Sequence, residues 1–306
     1  MRLNASAFIW HSYLRLHESR LVESISIKLG WYRMEIRLFD FLFDNSHMTE
    51  TSITSRDNPI FKRLKKLAES ARARREVQMT LLDGEHLLSA YLDAGGQPHT
   101  LVRAASYTMS RFETWATRCQ QAKAIVLADA LFAEIAPVAT PTGMLCEAAW
   151  LTPPALDTIP LVIVLEDIQD PGNLGAMLRT GAAAGATLAV LSKGCHDPWS
   201  PKALRGGQGA QFVLPIARGV DVPDWCAQFE GQSLALALAE DRSVFSSDLT
   251  GPLAFIVGNE GAGLSDAVRA AATATVQIPM LGKMESLNAS AALAIAVFEA
   301  VRQRLA

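Results

Sequence analysis

The stretch that decides the fold is Val276–Ser290, VQIPMLGKMESLNAS, which continues into Ala291–Leu305, AALAIAVFEAVRQRL. The second part consists mostly of Ala, Leu, Ile, Val and Phe up to Val301, without Gly or Pro, which predicts a helix buried on most of its surface. Pro279 lacks a backbone N–H, so we expect it to end a short strand at Val276–Ile278. The Ser and Asn that follow can cap the helix or bind a ligand, and both interpretations stay open.

Two other polar, Gly-rich turns each follow a strongly apolar strand. One lies in Leu161–Thr180, LVIVLEDIQDPGNLGAMLRT, and the other in Leu253–Ser265, LAFIVGNEGAGLS. Apolar strands that alternate with helices predict a mainly parallel sheet covered on both faces. In such open α/β sheets, ligands bind outside the carboxyl ends of the strands. The three turns therefore predict one shared site.

These three stretches together resemble the three signature motifs of the SpoU/TrmH-type RNA ribose 2′-O-methyltransferases, in the SPOUT class. The resemblance covers the second half of the chain closely and a smaller preceding domain loosely. It implies S-adenosylmethionine as cofactor, methyl transfer to a ribose 2′-hydroxyl of ribosomal or transfer RNA, and a homodimer formed through the C-terminal domain. It also implies a trefoil knot, which rests on the resemblance alone because knots are rare exceptions to the rules of chain threading.

The resemblance also assigns roles to individual residues. It implies that Arg179 faces the site and activates the ribose hydroxyl. Arginine stays protonated in nearly all settings, so we interpret it as holding the RNA phosphate and lowering the effective pKa of that hydroxyl, and its action as a base stays open. Asn173 would position Arg179 or the ribose, and Glu260 would order the loop or the arginine. Ser286 and Asn288 match a polar pair near the methyl group and the ribose. Three further residues match contacts to the cofactor: Gly258, Ile278 and Leu287.

The polar segment between the first two motifs adds two candidate RNA contacts, Lys202 and Arg205. The sequence departs from the family pattern at Asp170, where Asn is usual, and at Gly207, where Ser is usual. The roles of both positions stay open. His196 beside Asp197 suggests acid–base chemistry, but no nucleophile lies nearby in sequence, and we interpret the two as a polar pair in a loop.

A basic segment lies far upstream of the three motifs. Residues 53–67, ITSRDNPIFKRLKKL, predict a capped amphipathic helix with Ile60, Leu64 and Leu67 on its apolar face. From Arg56 to Glu76, eight cations stand against three acids. A solvated helix face explains such a run more often than a binding surface does. We favour phosphate contact here because the excess is local, with these candidates: Arg56, Lys62, Arg63, Lys65 and Lys66.

Bulk properties limit the classes of protein that remain. The 306 residues are 50% hydrophobic, with mean hydropathy +0.17, and are enough for two domains. Charges interrupt every long apolar run, so we expect no membrane span. The four cysteines are scattered without metal-ligand spacing, which predicts no metal site and a reducing, cytoplasmic setting. The net charge of −3 argues against a nucleic-acid binder unless the cations are segregated.

Composition divides the chain into four segments. Residues 1–47 are either a helical arm or sequence upstream of a true start at Met48; we favour the second and expect 1–47 to pack poorly against the body. The family resemblance implies that 48–151 form an α/β RNA-binding domain and that 159–306 form the methyltransferase domain, and we expect one strand of the latter at Phe212–Pro215. Residues 152–158 are the predicted linker. A non-catalytic RNA-binding protein that retains the fold is the alternative function. An oxidoreductase is disfavoured because the GxGxxG spacing is absent.

Overall fold

The computed structural model describes residues 25–29, 32–36, 50–138, 140–154, 158–238 and 242–306. The chain forms two compact units, 1–47 and 48–306. In the first unit, β1 (Ile25–Leu29) and β2 (Tyr32–Ile36) pair as an antiparallel hairpin. These residues are strands, whereas the helical-arm interpretation expected a helix. The predicted start at Met48 and the expected poor packing of 1–47 lie outside the described residues.

The N-terminal domain of the second unit is a five-stranded α/β layer. Its strand order is β3-β6-β5-β7-β4, in which β7 runs antiparallel to both neighbours and the other pairings are parallel. The elements, in chain order, are β3 (Glu50–Ile53), α1 (Pro59–Glu69), α2 (Ala71–Val77), β4 (Met79–Asp83), α3 (Glu85–Asp93), β5 (Thr100–Ala104), α4 (Met109–Arg118), β6 (Lys123–Leu127), α5 (Asp129–Ile135) and β7 (Met144–Ala149).

Helix α1 is the predicted basic amphipathic helix. The Asn58 side chain caps it by accepting a hydrogen bond from the Ile60 N–H at 2.9 Å. Phe61, Leu64 and Leu67 form its buried face, so Phe61 takes the place expected of Ile60, which is only partly buried. The cations of the helix consequently lie towards solvent or along its edges.

The C-terminal domain is a six-stranded parallel sheet of order β10-β9-β8-β12-β11-β13. Its elements are β8 (Leu161–Leu165), α6 (Pro171–Ala183), β9 (Leu188–Ser192), α7 (Pro201–Gly207), β10 (Ile216–Val220), α8 (Val222–Gln228), β11 (Gln232–Leu236), β12 (Leu253–Val257), α9 (Asp266–Ala271), β13 (Ala274–Val276) and α10 (Ala289–Leu305).

Both faces of this sheet are covered. Along β8, Leu161, Ile163 and Leu165 pack into one buried cluster, whereas Val162 and Val164 pack into a second. Because successive side chains of a strand point to opposite faces, the two clusters lie on opposite sides of the sheet. The predicted α/β architecture is therefore confirmed. The trefoil knot stays a prediction.

One predicted strand is wrong. A short 3₁₀ helix, Ala210–Phe212, occupies the start of the segment expected to be a strand at Phe212–Pro215, and β10 begins only at Ile216. Phe212 packs with Trp199 and Tyr91 in a cluster shared with the N-terminal domain, while Leu214 joins the C-terminal core. Packing across the domain boundary therefore overrides the local apolar pattern.

The two domains share a buried boundary. Trp199, Leu204 and Phe212 of the C-terminal domain pack into the same cluster as Leu82 and Leu87 of the N-terminal domain. A hydrophobic cluster of this kind fixes the two domains against each other, which is what positions their surfaces around a common site. Within the described ranges, none of the helices combines the length and the apolar character that a membrane span needs.

Candidate active site

A cleft of about 570 Å³ opens at the carboxyl ends of β11, β12 and β13. Its lining comes from residues 236–238, 257–264 and 286–289, with Arg269, Ile278, Met280 and Ala292. Six of the eight candidate catalytic and cofactor-binding residues line it: Gly258, Glu260, Ile278, Ser286, Leu287 and Asn288. The second and third motifs therefore converge on one cavity, as expected for carboxyl ends of neighbouring parallel strands.

The turn after β12 is closely folded and tied to the first motif. A Cβ atom at Gly258 would lie 2.3 Å from the carbonyl oxygen of Gly263, so only glycine fits there. The Asn259 side chain accepts hydrogen bonds from the N–H groups of Gly261 and Ala262 and donates one to the Asp167 carbonyl at 2.9 Å. Asn259 thus holds the backbone that forms one wall of the cleft.

Asn173, at the start of α6, joins all three motifs. Its Nδ2 donates to Glu260 Oε1 at 2.7 Å, and its Oδ1 accepts from Asn288 Nδ2 at 3.3 Å and from Ser290 Oγ at 3.2 Å. The Asn288 Oδ1 also accepts from the Ser290 N–H at 2.8 Å and so caps α10. Asn288 therefore serves both interpretations that the sequence left open, as a helix cap and as part of the cleft wall.

The two departures from the family pattern have local explanations. Asp170 is the N-cap of α6 and accepts from the Asn173 N–H at 2.7 Å, where a carboxylate suits the positive end of the helix dipole. A Cβ atom at Gly207 would lie 2.3 Å from the Oε1 of buried Gln211. The Gln211 side chain, which donates to the Pro198 and Ala203 carbonyls, fills the space that a serine side chain would need.

Arg179 does not line this cleft. It follows Asn173 by six residues on α6, a rotation of about 240° around the helix, so its side chain leaves from another face. There it is exposed, makes no hydrogen bond or ion pair within the described residues, and lines a separate groove with 207–210. Within one chain, Arg179 therefore lies away from the cleft, and its catalytic role stays a prediction.

Most of the candidate RNA-binding cations have acidic partners in the chain. The ion pairs are Arg56–Glu134 (2.5 Å), Lys62–Asp57 (2.9 Å), Arg63–Glu147 (2.8 Å), Lys65–Glu134 (3.4 Å) and Arg205–Asp83 (2.5 Å). Asp83 is fully buried, so Arg205 ties the two domains together. Lys66 and Lys202 are exposed and have no ion pair within the described part of the chain. RNA contact by these seven residues stays a prediction.

Sequence reasoning missed the buried ion pair at the domain boundary. Arg74, which looked like one more surface cation of the basic segment, donates from Nε to Asp197 Oδ2 at 2.7 Å, and both side chains are 3% exposed. His196 Nε2 lies 3.0 Å from Ser200 Oγ, and burial lowers the pKa of His196. Asp197 is therefore occupied by structural contacts, which agrees with its interpretation as a loop residue.

Glu166 is a further residue that the sequence did not single out. Its carboxylate accepts from the Ser265 N–H at 2.9 Å and from Ser265 Oγ at 2.7 Å, which joins the end of β8 to the start of α9. Its position directly after an apolar strand was the available signal. Among the described residues, no group of three or more His, Cys, Asp or Glu side chains is placed to hold a metal ion.

Comparison with known proteins agrees with the fold and the cleft. Residues 160–298 match the SpoU rRNA Methylase family, and residues 58–146 match the MRM3-like substrate binding domain. An uncharacterized tRNA/rRNA methyltransferase of Synechocystis sp. is 33% identical over 83% of this chain and 95% of its own length. The 23S rRNA (guanosine(2553)-2′-O)-methyltransferase RlmP of Bacillus subtilis is 30% identical over 80% of this chain and 97% of its own length.

Solved structures give the same result. The AdoMet-bound rRNA methyltransferase from Sinorhizobium meliloti superposes with a TM-score of 0.71 at 28% identity, covering 84% of this chain and 99% of that one. The SpoU methyltransferase AviRb from Streptomyces viridochromogenes, in complex with AdoMet, gives 0.69 at 27% identity over 81% of this chain and 99% of that one. The fold and the cleft define a methyltransferase of the SpoU type. The chain belongs to the SpoU rRNA methylase family.

Proposed function

We propose that this chain is an S-adenosylmethionine-dependent methyltransferase that modifies a ribose 2′-hydroxyl of ribosomal RNA. The observation that carries the proposal is the Asn173 network, which joins the first motif to Glu260 and Asn288 at the edge of the cleft. The relatives support it, since two of them are named as 23S rRNA 2′-O-methyltransferases that act on a guanosine and on a uridine. Transfer RNA, the other class implied by the resemblance, is a second arm of the test below.

The cleft fits S-adenosylmethionine in size and in lining. Its volume of about 570 Å³ falls within the range of roughly 300–1,000 Å³ that is usual for small-molecule sites. Ile278 and Leu287 offer apolar contact, and Gly258 exposes backbone without a side chain in the way. These three residues would hold the cofactor, and when bound it supplies an activated methyl group.

The remaining residues position the ribose. A ribose hydroxyl is a weak nucleophile at neutral pH, so its oxygen must be held in line with the methyl group while its proton leaves. The Asn173 amide is fixed by three hydrogen bonds, and Glu260 and Ser286 lie on the cleft wall. We assign to these groups the orientation of the ribose and of the loop that carries Glu260. Arginine stays protonated in proteins, so Arg179 holds the RNA phosphate and favours the alkoxide.

Because Arg179 lies outside the cleft of its own chain, its role requires a second copy. We propose that the protein is a homodimer through the C-terminal domain, in which Arg179 of one chain serves the cleft of the other. Exposed apolar side chains in this domain support such an interface, namely Leu281, Met284, Phe298 and Leu305. Clusters of large exposed apolar residues are uncommon on monomers and mark contact surfaces.

Two measurements test the proposed function. Calorimetry of the purified protein with S-adenosylmethionine should show saturable binding in the absence of RNA. Incubation with tritium-methyl S-adenosylmethionine and either unmodified ribosomal RNA or transfer RNA transcripts should label ribosomal RNA on ribose. Absence of label in either RNA would support the non-catalytic alternative, and absence of cofactor binding would overturn the proposed enzyme.

A further inference from the structure

A second cleft, here called the interdomain cleft, lies between the two domains. It has a volume of about 500 Å³. Its walls are the α2 residues Ala71 and Arg75 from the N-terminal domain, and residues 191–193, 195–198 and 218–219 from the C-terminal domain. The C-terminal part of this lining follows β9 or belongs to the end of β10. The interdomain cleft therefore opens on the same sheet edge as the candidate active site.

Cations outnumber acids in the interdomain cleft. Arg75 and Lys193 are exposed, and within the described residues neither has a hydrogen bond or an ion pair. Arg218 contacts Asp197 at 3.5 Å, but Asp197 already pairs with Arg74 at 2.7 Å. One carboxylate thus faces two guanidinium groups, and two further cations have no counter-charge. The cleft therefore carries an excess of positive charge, which suits an anion.

Arg218 is held in place before any ligand arrives. Its guanidinium lies 4.4 Å from the centre of the Trp150 ring, and Trp150 stacks on Trp199 at 5.2 Å. Burial lowers the pKa of the Arg218 guanidinium, an effect that Asp197 partly offsets and that Arg75 reinforces. A bound anion would relieve the repulsion between Arg75 and Arg218, and a fixed guanidinium loses little entropy when it binds one.

The interdomain cleft is also close to the candidate active site. Strand β9 lies beside β8, and β8 lies beside β12, so the nearest strands of the two clefts, β9 and β12, are two strand spacings apart, roughly 10 Å. The loops between them are joined, since Ser192 Oγ donates to Asp167 Oδ1 at 2.6 Å and Asn259 Nδ2 donates to the Asp167 carbonyl. A polymer bound in one cleft can therefore present a neighbouring unit to the other.

We propose that the interdomain cleft binds the phosphodiester backbone of the RNA substrate through Arg75, Lys193 and Arg218. This inference rests on the proposed function and moves the main phosphate contacts away from the solvent face of α1. Most cations of α1 are neutralised by acids of the same chain, whereas in the interdomain cleft Arg75 and Lys193 have no acidic partner and Arg218 shares Asp197 with Arg74. Phosphate contacts set the position of the RNA and carry no sequence information, so a generic strand suffices to detect them.

The experiment measures binding of a fluorescein-labelled oligouridylate by anisotropy at several salt concentrations. Arg75→Gln with Lys193→Gln removes the two unpaired cations, and Arg72→Gln with Arg118→Gln removes two cations that pair with Glu76 and Asp93. Both double variants change net charge equally. Loss of two phosphate contacts should lower the slope of log affinity against log salt by about 1.4, since each contact to a single strand contributes roughly 0.7.

The control pair should keep the wild-type slope. The proposal would be overturned if the wild type and the cleft pair had equal slopes, or if both double variants lowered the slope by the same amount. It would also be overturned if the wild type bound no oligouridylate. Cofactor calorimetry and methyl transfer by the wild type separate this result from the proposed function. If the wild type transfers methyl groups but the cleft pair keeps the wild-type salt slope, only the proposal of RNA binding in the interdomain cleft is wrong. If the slope changes but the wild type transfers no methyl group, only the proposed enzymatic function is wrong.

Discussion

The candidate active site and the interdomain cleft open on one sheet edge but differ in chemistry. The active site is formed by close backbone approach at Gly258 and by amide groups fixed through Asn173, whereas the interdomain cleft is formed by cations. The first arrangement suits a small cofactor that must be held in one orientation. The second suits a polyanion whose many phosphates are equivalent. One sheet edge thus places the reactive donor and the polymer side by side while each has its own recognition chemistry.

The largest expected effect is a loss of stability when the buried ion pair beside the interdomain cleft is broken. Arg74→Met leaves Asp197 buried with the Trp199 N–H as a hydrogen-bond donor and the more distant Arg218 as its remaining cation. Removing one partner of a buried ion pair costs about 3–5 kcal/mol, and we expect a loss of unfolding free energy near the lower limit, about 3 kcal/mol, because Arg218 remains. Urea unfolding of the full chain measures it.

Arg72→Met is the matched control for this prediction. Arg72 lies on the same helix, is exposed, and pairs with Glu76 at 2.7 Å. A surface pair of this kind contributes less than about 1 kcal/mol. Equal losses from the two substitutions would show that Arg74 and Asp197 do not fix the domain boundary.

The next effect separates the two clefts by their ligands. In Gly258→Val, the new side chain meets the Gly263 carbonyl, which displaces the turn that forms the cleft wall. We expect the Kd for S-adenosylmethionine to rise about 100-fold, a loss of roughly 2.7 kcal/mol, while the salt slope for RNA binding stays at the wild-type value. Calorimetry and anisotropy give the two readouts.

Gly261→Ala is the control in the same turn, because its Cβ atom would lie 3.5 Å from the nearest atom, Asn259 Oδ1. Its cofactor affinity should match that of the wild type. If both variants lost affinity equally, or if Gly258→Val lost RNA binding as well, the separation of the two clefts would be wrong.

A smaller effect is expected from a residue that positions the reacting groups without binding the cofactor. Asn173→Ala removes the donor to Glu260 and the acceptor for Asn288 but leaves the apolar cofactor contacts in place. Because misplacement of reacting groups by about 1 Å can cost up to roughly 100-fold in rate, we expect kcat to fall about 10- to 100-fold. The Kd for the cofactor should change less than kcat. A variant with normal kcat would remove Asn173 from the mechanism.

The smallest expected signal is a partial recovery of activity when two inactive variants form a dimer. Arg179→Ala and Gly258→Val should each be nearly inactive alone. If one chain supplies the arginine and the other the cleft, an equal mixture of the two variants, refolded together, forms mixed dimers as half of all dimers. Each mixed dimer has one intact site of two, so the mixture should recover about a quarter of wild-type activity. Methyl-transfer assays of the mixture measure this recovery, and a mixture no more active than its components would contradict a site shared between chains.

The sequence predicted the parts of this site that depend on strand order and local motifs, and it missed those that depend on contacts between distant residues. The three turns were predicted to share one site because carboxyl ends of parallel strands share an edge, and the family resemblance supplied Gly258, Ile278 and Leu287 as its cofactor contacts. Arg179 was expected to face the same site, but six helical residues turn its side chain about 240° away from that of Asn173, and within one chain it lines another groove. The Phe212–Pro215 strand was wrong because the partner of Phe212 lies in the other domain.

The basic segment shows the same limit for charge. Counting cations along the chain could not show that Glu134 and Glu147, many residues away, neutralise part of α1. It could not show either that Arg74 is buried against Asp197, or that Arg75 and Arg218 face one cleft. Contacts between residues far apart in sequence decide which cations remain available for a ligand.

The central claim is that the three motifs form a site for methyl transfer to ribose. The most direct measurement is nucleoside analysis of unmodified ribosomal RNA after incubation with tritium-methyl S-adenosylmethionine and either the wild type or Gly258→Val. We expect label in a 2′-O-methylated nucleoside for the wild type and almost none for the variant. Label on a base, or equal ribose label from both proteins, would contradict it.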